Sequence, residues 1–299
     1  MYLLPLTLLC TPSPLVDSVP ERPALMLFQE PVEQPSQEPQ EEKPKKKKFA
    51  RLTSPQKKQV ATAMRQIAKG EDEEEIEAGV AQLLGIGEAA IPSCFDAVKR
   101  MEEAGRTALL WQVLDGILVD ADLPLAWKLL KKKSPAVLRA YLVRRYADSS
   151  QEKAEAFLKE QVQVEDPEIA YQAARGLALR GEASVVPILE RQVATYWLEE
   201  AARLRADFAG VTRGPLVDAV LPLLERKRTK EKLAALRMFE LFGTAETIKV
   251  VAPFLSESDT TLRLAAINAC RVVVKGEEPL ARPSMTEIIE RAEAWKAQL

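Results

Sequence analysis

Residues 166–193 read DPEIAYQAARGLALRGEASVVPILERQV. Asp166 followed by Pro167 is typical of a helix start, because the carboxylate accepts a backbone N–H that has no partner within the helix and proline fits the first turn. Gly181 allows the chain to turn at positive φ. Pro187 then opens a second apolar run. The stretch predicts two short helices, neither of them amphipathic enough to be stable alone.

The same pattern returns along the chain at intervals of 28 to 33 residues. A small residue inside the first helix of each predicted pair falls at Ala78, Ala108, Ala140, Ala173, Ala201, Ala234 and Ala265. A helix pair of this size cannot bury its own apolar faces, and stacking against neighbouring pairs makes one continuous core. The sequence therefore predicts an all-α chain built from repeated helix pairs.

Segment 166–190 resembles a HEAT-type repeat of the short bacterial sort that is also found in bilin lyases. The similarity consists of the Asp-Pro opening, the Ala-Ala pair and the Gly…Val-Pro-x-Leu run. It implies an α-α superhelix, a HEAT-like solenoid of about seven repeats over 72–276, whose concave surface is lined by the second helices. It implies no reaction, because the family consists mostly of scaffolds. Helices at 54–71 and 277–299 are interpreted as terminal caps.

Helix starts are predicted from serine and proline. Ser54-Pro55 and Ser134-Pro135 have the same form as Asp166-Pro167, and two serines stand three residues before a glutamate, the capping-box spacing. These two pairs are Ser149 with Glu152 and Ser284 with Glu287.

The first 53 residues differ in composition from the rest. Segment 1–16 is apolar but interrupted by proline, and is either a signal peptide or a disordered apolar start. Segment 17–53 is rich in Pro, Glu and Lys, which predicts a disordered linker. Its basic run KPKKKK, 43–48, could be an import signal, an anionic-surface anchor or a nucleic-acid arm, but the adjacent acidic block favours a solvated polyampholyte. Export to the periplasm is favoured over a cytoplasmic location.

Composition excludes several kinds of chemistry. The chain has no histidine, so a Ser-His-Asp triad and imidazole metal ligands are excluded. Its three cysteines include no CxxC pair, and Cys94 and Cys270 lie in apolar helical stretches, where core packing is expected. We predict no enzyme activity, no metal and no cofactor.

A protein or peptide partner is the predicted ligand, and no transmembrane segment is expected. The first set of candidate contacts consists of polar residues on the second helices, one per repeat: Lys128, Lys153, Arg191 and Lys249. Arg144, Arg145 and Trp197 are the second set, since arginine and aromatic residues are typical of binding hot spots. Trp197 could instead fill the junction between the fourth and fifth repeats.

Two other functions remain open. One is an enzyme or chromophore handler similar to bilin lyases, which would need a reactive cysteine or an acidic pocket. The other is a nucleic-acid binder similar to the alkylpurine glycosylases built from HEAT-like repeats. Nucleic acid is unlikely on electrostatic grounds, because the chain has a net charge of −2.

Overall fold

A computed structural model describes residues 47–209, 211 and 214–299. All of them belong to one compact unit, Lys47–Leu299. These residues form helices and connecting turns, with no β-strand among them. The predicted segment 1–16 and residues 17–46 of the predicted linker lie outside the described residues. The all-α prediction is confirmed for the part described.

Thirteen α-helices are present in these ranges. They are α1 (Ser54–Lys69), α2 (Glu73–Ile86), α3 (Ile91–Glu103), α4 (Thr107–Ile117), α5 (Leu123–Leu129), α6 (Ala136–Asp148), α7 (Ala154–Gln161), α8 (Pro167–Leu179), α9 (Val186–Asp207), α10 (Gly214–Leu224), α11 (Thr229–Phe242), α12 (Thr260–Cys270) and α13 (Met285–Lys296). Short 3₁₀ turns precede α3, α5 and α9, a 3₁₀ segment occupies Ile248–Ser256, and a π turn, Arg271–Lys275, extends α12.

The helix start predicted at Asp166 is confirmed. One oxygen of its carboxylate accepts the backbone N–H groups of Glu168 and Ile169, both at 3.1 Å. The start at Ser284 is also confirmed, because its hydroxyl accepts the N–H of Glu287 at 3.2 Å. The same physics operates at both sites: a side-chain oxygen satisfies donors that the first turn leaves unpaired.

Three other predicted starts are wrong in detail. The cap of α1 is Thr53 rather than Ser54, in a reciprocal capping box with Gln56. The hydroxyl of Ser134 accepts the N–H of Lys131, in the preceding turn, and α6 has no side-chain cap. Ser149 is buried and accepts the N–H of Gln151, so α7 begins only at Ala154.

Helix α9 differs most from the sequence interpretation. Ala201 was assigned to a new first helix, but Val186–Asp207 is one helix of 22 residues. No glycine or proline interrupts the chain between Val193 and Asp207, so nothing in the local sequence ends the helix. Trp197, predicted to fill a junction between two repeats, therefore lies within one continuous helix.

Packing joins helices that are close in the chain. Helix α2 contacts α1 and α4, α6 contacts α7 and α8, and α11 contacts α9, α10 and α12. Helix α13 packs on α12 and on the Ile248–Ser256 segment, burying Ile288, Ala292 and Trp295.

Helices α6 and α8 approach each other closely at Gly176. A Cβ atom there would lie 2.6 Å from the Cβ of Ala147, closer than atoms in folded proteins pack. Arg180 then joins the same two helices, because its guanidinium donates to the carbonyls of Ala147 and Ser149 at 2.9 and 2.5 Å. Gly181 follows at φ +80°, as its role in the turn predicts.

One helical stretch of the described residues, Glu73–Glu103, is long and apolar enough to cross a membrane by length and composition. It consists of α2, a 3₁₀ turn with Gly87 at φ +72°, and α3. Leu83, Ile91 and Val98 on it are fully buried against neighbouring helices, which accounts for its apolar composition. The absence of a transmembrane segment remains a prediction.

Candidate functional site

The second-helix candidates are exposed side chains that the structure does not bring together in a site. Lys128 lies on α5, Lys153 precedes α7, Arg191 lies on α9, and Lys249 lies on the Ile248–Ser256 segment. Within the described ranges their side chains make no hydrogen bond or ion pair. None of the four lines either of the two grooves described below.

Arg144 and Arg145, in contrast, already have partners. Arg145 donates to the carboxylate of Asp115 at 3.0 Å and to the backbone carbonyl of Leu118 at 2.6 Å, at the end of α4. Arg144 contacts the other carboxylate oxygen of Asp115 at 3.3 Å and lies 5.3 Å from the ring centroid of Tyr141. These contacts give Arg145 a structural role that joins α6 to α4.

A first groove, here called the Tyr141 groove, is a cavity of about 500 Å³ between α4, α6, α8 and α9. The Tyr141 ring stacks on Trp111 at 4.4 Å, and its hydroxyl donates to Asp115 at 2.9 Å. Burial, together with the negative charge of Asp115, raises the pKa of Tyr141, so the phenol stays protonated and remains a donor.

The charged groups on the far wall of the Tyr141 groove are paired with one another. Arg203 donates to Glu168 at 2.7 Å, and Tyr171 donates to Asp207 at 2.7 Å. The amide group of Gln172 also donates to Glu168, while its carbonyl oxygen has no hydrogen-bond partner in the described part of the chain. Most hydrogen-bonding groups of this groove are thus bonded to other groups of the protein.

A second groove, here called the Trp197 groove, is a cavity of about 460 Å³. It is lined by residues of α9, α11 and α12 and by segment 278–281, which precedes α13. The side chain of Trp197 is buried, with 8% of its surface exposed, whereas the adjacent Leu198 is 89% exposed. Leu264 on α12 adds another apolar wall. A large, solvent-exposed apolar side chain therefore lies beside a cavity lined by both apolar and charged residues.

Two guanidinium groups lie beside the Trp197 ring. Arg205 and Arg237 are 5.2 and 5.5 Å from its centroid, within the range of cation–π attraction. Arg205 also pairs with buried Glu240 at 2.5 Å. Arg237 has no hydrogen bond or ion pair within the described ranges, and burial lowers its pKa while the charge of Glu240 acts in the opposite direction.

Of the residues in the Trp197 groove, sequence reasoning identified only Trp197. Leu198, Arg205, Arg237 and Glu240 were missed. Trp197, Ala201 and Arg205 are spaced four residues apart and therefore share one face of α9. This spacing indicates a shared face only if α9 is one continuous helix.

Core packing of the two described cysteines is confirmed. Cys94 and Cys270 are both fully buried, and burial raises the pKa of each thiol to about 12. A reactive cysteine requires an accessible thiolate at neutral pH, and neither residue provides one. Residues 47–209, 211 and 214–299 contain no group of three or more acidic or cysteine side chains placed to hold a metal ion.

No family model, no curated protein and no solved structure matches this chain.

Proposed function

We propose that this chain is a non-catalytic, HEAT-like helical-repeat scaffold that binds a protein or peptide partner. Six of the seven repeated Ala positions, all except Ala201, and the packing of helices on near neighbours in the chain support a repeat architecture. Arrays of this kind present extended concave surfaces for binding.

The Trp197 groove is the proposed binding surface, in place of the second-helix face expected from the sequence. The observation that carries this proposal is the 89% exposure of Leu198 beside a cavity whose lining combines apolar side chains with charged ones. Single exposed apolar residues are common on protein surfaces, but one that adjoins a cavity lined by tryptophan and arginine has the composition of a binding hot spot. Side chains of a peptide can occupy the cavity and at the same time cover Leu198.

The balance of charge in the groove favours a peptide over nucleic acid. Two arginines and two glutamates line the cavity, so they give it no net positive charge. Nucleic-acid binding depends on neutralising several phosphates with lysine and arginine.

Selection of peptides from a random dodecapeptide display library tests the proposal. The selected peptides are synthesised, and their affinities are measured by fluorescence anisotropy against the wild-type protein, Leu198→Ser and Val119→Ser. Val119 is a matched control, because it is 56% exposed and does not line the groove. We expect Leu198→Ser to weaken binding about tenfold, the effect of losing one apolar hot-spot contact, and Val119→Ser to leave it unchanged.

Two results contradict the proposal. One is the failure of the wild-type protein to enrich any peptide above background. The other is equal affinity of the selected peptides for wild-type protein and Leu198→Ser.

A further inference from the structure

We propose that the Trp197 groove recognises an aspartate or glutamate side chain of the partner peptide, held by Arg237, next to an apolar residue held by Trp197 and Leu198. This inference rests on the proposed function and adds the chemistry of the ligand. The supporting observation is which arginine side chains have hydrogen-bond partners and which do not.

Arg237 differs from three other arginines of the chain in its hydrogen bonding. Arg203 pairs with Glu168 at 2.7 Å, Arg205 with Glu240 at 2.5 Å, and Arg226 with Glu190 at 2.9 Å. A guanidinium carries five N–H donors, and those of Arg237 have no acceptor in the described part of the chain. The group is nevertheless half-buried and lines the cavity. It has therefore lost part of its hydration without gaining a hydrogen-bond partner.

The surroundings of Arg237 position it for a ligand. Its guanidinium lies against the Trp197 ring, which restricts the orientation of a long side chain. The planar donors match the two oxygens of a carboxylate, and such paired, charge-assisted bonds are stronger than neutral ones.

Neighbouring charges favour a single carboxylate. The four charged groups that line the cavity cancel overall, but Arg205 and Glu240 are bonded to each other, which leaves Arg237 as the local positive group beside the Trp197 ring. Glu278 also lines the cavity but is exposed, so water and salt screen its repulsion. A phosphate dianion would bring two negative charges beside both glutamates, whereas a carboxylate brings one. The monoanion therefore fits the site better.

The test is a double-mutant cycle on the peptides that depend on Leu198. Each peptide is synthesised with an amidated C-terminus, so that side chains carry its only carboxylates, and in versions with each Asp or Glu replaced by Asn or Gln. Affinities are measured for wild-type protein, Arg237→Gln and Arg237→Lys. Arg191→Gln is the control, because Arg191 is exposed on the same helix as Trp197 and does not line the groove.

We expect one acidic position in each peptide to be essential. Its amide replacement weakens binding to wild-type protein and to Arg191→Gln about tenfold, but does not change binding to Arg237→Gln. Arg237→Lys keeps the charge but loses the paired geometry, so it gives an intermediate loss. Thermal unfolding of each variant verifies that the proteins being compared are folded.

The inference is overturned if the Leu198-dependent peptides contain no acidic residue. It is also overturned if the amide replacement has the same effect on wild-type protein and on both Arg237 variants. Either result leaves the proposed function standing, since that function fails only when no peptide is enriched or when binding is independent of Leu198.

Discussion

Arginine has two different roles in this chain, and the partners of each guanidinium distinguish them. Arg180 donates to four backbone carbonyls, those of Tyr146, Ala147, Ser149 and Gly176, at 2.5–3.3 Å. Three of these carbonyls lie at the C-terminal end of α6, where intrahelical donors run out, and that of Gly176 lies in the last turn of α8. No acceptor for the donors of Arg237, in contrast, lies within the described ranges, and we propose that a ligand supplies one.

Replacing Arg180 should destabilise the fold. In Arg180→Met the four carbonyls lose a charged donor in a partly buried place, so we expect a loss of about 2–3 kcal/mol in the free energy of unfolding. Arg191→Met is the control, since the exposed Arg191 side chain makes no hydrogen bond or ion pair within the described ranges, and it should change stability by less than about 0.5 kcal/mol. Urea unfolding measures both, and equal stabilities of the two variants would contradict the role given to Arg180.

Glu240 should make stability depend on pH. Burial raises its pKa above the ordinary value, although Arg205 opposes the shift. The carboxylate of Glu240 is therefore protonated at a higher pH in the folded protein than in the unfolded chain. Its contribution to stability grows as pH falls through the raised pKa and is lost as pH rises. We expect the stability of wild type minus that of Glu240→Gln to be larger at pH 5 than at pH 7. Urea unfolding at the two pH values tests this, and an unchanged or smaller difference at pH 5 would refute it.

At the scale of helices, the segment 166–193 contains most of what the sequence could predict. Asp166 caps α8 and Gly181 turns the chain, both as expected from residue type. Asp259 caps α12 with the same two-bond geometry, but no proline follows it, and it was not identified from sequence. Cap residues can be predicted because their bonds are local, within three residues.

Contacts between helices are less accessible to sequence reasoning. Gly176 has the conformation of an ordinary helical residue, and only the position of α6 shows why a side chain does not fit there. The bonds of Arg145 to the end of α4 likewise span 27 to 30 residues of sequence. Such long-range partners depend on how the helices pack, which residue patterns do not specify.

Two glycine-to-alanine substitutions separate helix packing from helix propensity. In Gly176→Ala the new Cβ would lie 2.6 Å from the Cβ and 2.7 Å from the Cα of Ala147, so α6 must move, and we expect a loss of about 2 kcal/mol. In Gly85→Ala nothing lies within 4 Å of the new Cβ on the exposed face of α2, so we expect a gain of about 0.5–1 kcal/mol. Chemical unfolding gives both values, and a shift of the same sign in both variants would contradict the close approach of α6 and α8.

Across the whole molecule, most contacts join helices that are near neighbours in the chain. Helix α13 contacts α12 and the Ile248–Ser256 segment, whereas α2 contacts α1 and α4. In the repeat array that we propose, a local defect spreads mainly to adjacent units.

A charge placed in α13 should therefore have a local effect. Ile288 is buried, and Ile288→Asp introduces an unpaired carboxylate among apolar side chains. We expect hydrogen exchange to accelerate in α12, α13 and the Ile248–Ser256 segment, with little change in α1 to α4. Equal acceleration throughout the described chain would show that the protein unfolds as a single cooperative unit instead.

The candidate site also shows the limit of prediction at this scale. Trp197 was identified because tryptophan is typical of binding hot spots. Its companions come from α11, α12 and segment 278–281, which are 36 to 84 residues further along the chain. They could be grouped with Trp197 only after the stacking of helices was known.

Hydrogen-exchange mass spectrometry of the wild-type protein, with and without a saturating selected peptide, tests whether the peptide binds in the Trp197 groove. Peptide binding in the Trp197 groove predicts slower exchange in residues 197–205, 233–240 and 278–281, and unchanged exchange around Lys128 and Lys153. Slower exchange on α5 and α7 instead would place the partner on the second helices and contradict the account.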